Sequence, residues 1–207
     1  MILWIKEGKG YYEKRTRQIK KTYYNYILAL LVVSYYIYLT HRNVNNDDKM
    51  TSNSAVSEIT SRDLEKNYPG TPRAVVSYFA DIQKIWYKED ITGDELTGLA
   101  QHARALFDDE LLAANDYEQY MNNLRSEITS YKEKESYITE CIVEDGYDTE
   151  YKTFQNKSYA FVNTKYYVKD NKNLSVVYEK YTLRKDSDSH WKILFWEVTD
   201  GTEMEEK

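Results

Sequence analysis

Between residues 72 and 131 the apolar positions of this chain recur every three or four residues, and between 137 and 198 they alternate. The first period belongs to helices with one buried face, the second to half-buried strands. Val75, Phe79, Ile82 and Trp86 predict a helix over about 72–87, with Thr71 as N-cap and Pro72 in the first helical position. Leu96, Leu99, Ala100, Ala103, Leu106 and Phe107 form the stripe of a second helix, capped by Thr92 or Asp94. Tyr117, Tyr120, Met121, Leu124, Ile128 and Tyr131 form that of a third, which starts near Asp116. From Glu135 onward β-branched and aromatic residues take over. The expected strands are Tyr137–Val143, Thr149–Phe154, Tyr159–Val168, Leu174–Arg184 and Trp191–Val198. The segments between them are turn-forming and short, so neighbours should pair antiparallel. Three helices followed by four or five strands predict an α+β fold, with helices packed on one face of a curved antiparallel sheet.

Upstream the pattern changes again. Thr22–Thr40 carries no charge, and its centre from Ile27 to Val33 is wholly aliphatic or Ala. Nineteen helical residues rise roughly 28 Å, close to a bilayer's hydrocarbon thickness. Tyr23, Tyr24 and Tyr26 at one end and Tyr35, Tyr36 and Tyr38 at the other make two aromatic belts. A single transmembrane signal-anchor is therefore expected. No small-x-small cleavage pattern follows it, so it should stay attached. The stretch 41–62 is rich in Asn, Asp, Ser and Thr and predicts a polar stalk; 63–200 is the folded domain, and 201–207 an acidic tail.

Charge fixes the expected topology. The net charge of −6 divides into +5 over residues 1–21 and −12 beyond Arg42. Basic flanks remain on the cytoplasmic side, so the tail should lie inside and the acidic domain outside the cell membrane. A domain this acidic is unsuited to nucleic acid, because phosphate contact needs clustered Lys and Arg. Cys141 is the single cysteine, which rules out an internal disulfide and suits a small apolar residue within a strand.

Chemistry is sparse. His41, His102 and His190 have no metal-site spacing, and Asp108-Asp109-Glu110 and 144–150 read as solvated acidic turns rather than calcium loops. No nucleophile elbow or phosphate loop occurs, so neither metal, cofactor nor catalytic residue is expected.

The order of elements, ending in a Trp-rich strand, resembles the nuclear-transport-factor-2-like (SnoaL-like, cystatin-like) cone fold. The stretches RDLEKNYPGTPRAVVSYF, ARALFDDELL and YEKYTLRKDSDSHWKILFWEVT resemble an uncharacterised family of membrane-anchored proteins of Gram-positive gut bacteria. The overall plan of tail, span, stalk and outer domain is similar to VirB8-like components of conjugation machines. The first resemblance implies a pocket between the sheet's concave face and the helices. Trp86, Tyr159, Phe161, Tyr181 and Trp196 are its expected ligand-binding lining, with Trp191 and Phe195 as further candidates. In the last strand both alternating sets are apolar, so the inward face stays open between Trp191/Ile193/Phe195 and Leu194/Trp196/Val198.

The expected function is a non-catalytic, membrane-anchored module that binds a small ligand or a protein partner outside the cell. A scaffold subunit of a conjugation or secretion assembly is one alternative. The other is an isomerase or hydratase using a pocket carboxylate (Asp81, Glu179 or Glu197) with Tyr181.

Overall fold

The computed structural model describes residues 55–88 and 90–205, the last of these in backbone only. The expected tail, the span over Thr22–Thr40 and most of the stalk lie outside them. Among the described residues no helix is long and apolar enough to cross a membrane.

Helix α1 occupies residues 55–60. Its Val56 and Ile59 are buried in the core, so the folded domain begins inside what the composition assigned to the stalk. Two apolar residues three apart are too few to show a period against a polar background. Helix α2 (Pro72–Lys88) is the central helix. Thr71 Oγ1 accepts from Ala74 N–H at 3.1 Å, as the N-cap position requires. Helix α3 (Gly93–Ala105) starts from a capping box: Thr92 accepts from Glu95 N–H while the Glu95 carboxylate accepts from Thr92 N–H. Helix α4 (Asp109–Ala114) was not expected, and Asp108 caps it. Helix α5 (Tyr117–Glu133) is capped by Asp116.

Five strands follow: β1 (Tyr137–Val143), β2 (Glu150–Phe154), β3 (Lys157–Lys169), β4 (Leu174–Lys185) and β5 (Trp191–Thr199). All pairings are antiparallel. Strand β3 is the spine. It pairs with β4 along its length, while β2 and β1 share its other edge, opposite 157–161 and 164–169 respectively. Five strands thus make one sheet, with β5 at the far edge. The segment Leu106–Asp108 runs beside β5, with Ile193 N–H donating to Leu106 O and Asp108 N–H donating to Ile193 O, both at 2.8 Å.

A bulge resolves the ambiguous last strand. Thr182 faces Phe195 but Leu183 faces Ile193, which leaves Leu194 as the extra residue. The alternation therefore switches phase. Trp191 and Ile193 are buried on one side of the bulge, and Trp196 turns inward on the other. Neither alternating set is wholly inward, and no period-2 reading could have shown it.

Helix α2 lies across β1, β3 and β5. Val75, Val76 and Ile82 of α2 meet Val162, Leu183 and Ile193 of the sheet in a sealed core. The expected acidic tail instead includes a short helix, α6 (Thr202–Glu205). Gly201 turns the chain at φ +83°, where an added Cβ would come within 2.5 Å of the Tyr178 ring. Only glycine combines that dihedral with that approach.

Candidate functional site

A cleft of about 270 Å³ opens between α2, α5 and the sheet. Phe79, Gln83, Trp86 and Tyr87 of α2 form one wall, and Tyr120, Asn123, Glu127 and Tyr131 of α5 another. Tyr166 of β3, Glu179 of β4 and Trp196 of β5 form the floor. The helical spacing of α2 and α5 turns these positions toward the sheet, and the alternation of β4 turns Glu179 toward the helices. The rings support one another. Tyr87 and Tyr131 stack at 4.2 Å, and Trp196 lies nearly parallel to Tyr181 at 5.8 Å. The Trp86 indole N–H is buried with no acceptor in hydrogen-bond geometry.

The polar centre of the floor is a chain of four groups. Tyr181 O–H donates to Glu179 Oε2 at 2.7 Å, Tyr166 O–H donates to Gln83 Oε1 at 2.9 Å, and the two phenol oxygens lie 2.9 Å apart. These three contacts need three protons, and the two hydroxyls hold two. The third comes from Glu179 when its carboxyl is protonated, or from the Gln83 amide turned over when it is not.

Burial raises the Glu179 carboxyl above the ordinary glutamate range, the Tyr181 hydrogen bond pulls it partly back, and the charge of Glu127 raises it again. Glu127 in turn accepts from the Tyr87 hydroxyl. Burial also holds Tyr166 and Tyr181 well above the usual phenol value, so both stay protonated donors. A carboxyl with a raised folded-state pKa binds its proton more tightly when folded than when unfolded. Its favourable contribution is complete below the unfolded value and is lost as pH rises through the folded one. Glu179→Gln, which keeps the acceptor for Tyr181 and removes the charge, is expected to raise the melting temperature at pH 7. The gain should vanish near pH 4, and thermal melts at the two pH values check it.

Of the five expected lining residues, the structure brings three together. Trp86 and Trp196 line the cleft, and Tyr181, fully buried, supports Glu179 from below. Tyr159 and Phe161 are elsewhere. They stand in the opposite phase of β3 from Val162 and Tyr166: Tyr159 hydrogen-bonds Arg184, and Phe161 lies under the ammonium groups of Lys152 and Lys180. Trp191 is buried against Tyr151, and Phe195 is exposed. Of the three candidate acids, Asp81 and Glu197 are exposed and only Glu179 faces the cleft. On α5 the apolar period marks Tyr120 and Tyr131 only as a helical stripe and does not single out Glu127. The signal for Glu127 was its place between Leu124 and Ile128, near the apolar face.

Asp108-Asp109-Glu110 is not a solvated turn. Arg184 grips Asp108 through two nitrogens, with Nε to Oδ2 at 2.9 Å, and reaches Glu110 Oε1 at 2.6 Å. Asp108 is 4% exposed. Cys141 is half-buried, and burial pushes its thiol up to about 12, which makes it a poor nucleophile. His102 docks on the Tyr78 hydroxyl at 2.9 Å, and that hydroxyl also meets Ile59 O at 3.1 Å, joining α3 and α2 to α1.

A family model described as "Domain of unknown function (DUF6715)" matches residues 11–196. No curated protein matches the chain.

Proposed function

The chain belongs to the DUF6715 family, and we propose that its folded part is a membrane-tethered module outside the cell that binds a small ligand in the aromatic cleft without transforming it. The observation that carries the reading is the cleft itself, an aromatic pocket with a half-buried carboxylate at its floor. Single concave sites of this composition are the ordinary form of small-molecule pockets. In this reading the sheet and helices form the nuclear-transport-factor-2-like cone, and Thr22–Thr40 is the anchor of a single-pass protein.

A ligand-observed NMR screen of the full-length chain against small metabolites tests the binding. Asn123 is exposed at the cleft wall, so Asn123→Trp should block the opening without touching the core. Hits lost in that variant support the reading; hits unaffected by it, or none at all, overturn it. Location has its own test. In cells carrying Cys141→Ala, an impermeant maleimide is expected to label Asn45→Cys and not Lys9→Cys. The reverse pattern would overturn the topology.

One observation favours a second reading. Glu179 combines a raised pKa with a hydrogen bond from a buried tyrosine, the equipment of a general base for isomerase or hydratase chemistry. Turnover of a cleft ligand that Glu179→Gln abolishes would establish it.

A further inference from the structure

We propose that the ligand of this cleft is a protonated primary amine carried on an apolar body. The inference rests on the cleft being a small-ligand site, and three features of the lining select the amine.

The first is sign. The lining holds two carboxylates, Glu127 and Glu179, and no Lys, Arg or His. Arg104, behind Tyr120, is engaged elsewhere: Nη1 donates to Asn115 O at 2.8 Å, and the guanidinium lies 5.2 Å from the Tyr120 ring centre. An anion entering here would meet two like charges and no counter-charge. A cation would relieve both the repulsion between the two glutamates and the burial of Glu179.

The second is hydrogen-bond supply. The Tyr87 and Tyr181 hydroxyls each donate one hydrogen bond, to Glu127 and Glu179, which leaves both carboxylates with spare lone pairs. An ammonium group brings three donors and no acceptor. It therefore fits an acceptor-rich floor better than a hydroxyl, which brings one donor.

The third is the aromatic wall. Trp86, Trp196, Phe107 and Tyr131 line the same cleft as the two acids, and ring faces attract cations most strongly where water is excluded. The same rings accept an apolar body, which a bare metal ion lacks.

Acid should weaken the binding. The groups facing Glu179 are Tyr181 on its own strand, Tyr166 on β3, Cys141 on β1, and Glu127 and Tyr131 on α5; its β5 neighbour is Val198. None becomes positive on acidification, so protonating Glu179 removes a charge that nothing replaces.

The test titrates the full-length chain in mild detergent with 2-phenylethylammonium, 2-phenylethanol and 3-phenylpropionate, following tryptophan fluorescence. The amine is expected to bind about tenfold or more tighter than the alcohol, and the carboxylate weakest. Glu127→Gln and Glu179→Gln should each bring the amine down to about the alcohol's affinity while leaving the alcohol unchanged. Glu127 is exposed, so its variant keeps the fold. Equal binding of alcohol or carboxylate, or glutamine variants with unaltered amine affinity, would overturn the amine inference and leave the cleft as a ligand site. No binding of any probe at millimolar concentration would overturn both.

Discussion

Asp108→Ala is expected to destabilise the domain by about 3–5 kcal/mol, read as a fall in the urea midpoint at constant slope. Asp108 does three things at once. Its Oδ1 caps α4 through Glu110 N–H, its backbone N–H donates to Ile193 O, and its carboxylate neutralises Arg184. The side chains of Arg184 and Asp108 are 11% and 6% exposed, so deleting the acid strands a guanidinium with little water to receive it. Glu110 cannot substitute, because its carboxylate is 66% exposed and such pairs contribute only about 0–1 kcal/mol. The double variant Asp108→Ala/Arg184→Met separates an orphaned charge from a lost bridge. If the loss comes from the orphaned charge, the double should be more stable than Asp108→Ala alone. Equal or greater loss in the double would mean that the bridge stabilises in its own right.

That clasp also marks where sequence reasoning ended. The long helices α2, α3 and α5 were legible from their apolar period and from side-chain caps at the expected positions, and the strands from the change to β-branched and aromatic residues, whereas α1, α4 and α6 are too short to show a period. The antiparallel pairing of β2 through β5 was legible from short turns, whereas β1 pairs with β3 and not with its sequence neighbour β2. Asp108 looked like one of three solvated acids because its partner lies 76 residues away, and no local pattern encodes such a contact. The bulge at Leu194 was invisible for a related reason: it is a property of the pairing between β4 and β5, not of either strand. Tyr159 and Phe161 were assigned to the pocket because they are aromatic, yet β3 places them on the face opposite Tyr166. The alternation of β4 held a better clue. Val177, Glu179, Tyr181 and Leu183 share a phase, and a lone acid in an apolar phase is drawn out of water and needs a reason.

The site and the fold share their residues. Glu179 is held by Tyr181, Tyr181 stacks on Trp196, and both rings meet Phe79 of the central helix. The acid is thus positioned from a rigid cluster, while the opposing Glu127 comes from an exposed position on α5.

Phe79→Ala carries the second largest expected effect, again about 3–5 kcal/mol for a truncated core phenylalanine. The ring is 2% exposed and meets Trp86, Phe107, Tyr181 and Trp196 at centroid distances of 6.2, 5.6, 6.1 and 5.5 Å. Three of these pairs are edge-to-face and the Trp196 pair is tilted; edge-to-face pairs add roughly 0.5–1.5 kcal/mol each beyond area burial, so Phe79→Leu should recover volume but not all of the loss. What places the result within the range is the cleft. Phe79 lines it, so the void left by truncation opens into the cleft and can take up water. Leu99, fully buried and absent from the lining, would leave a sealed void instead. Relative to the apolar area removed, Phe79→Ala is therefore expected to cost less than Leu99→Ala. Urea unfolding of both variants decides it. A larger relative cost at Phe79 would mean that the cleft does not admit water beside this ring, and a loss below about 1 kcal/mol would mean that the ring is not part of the core.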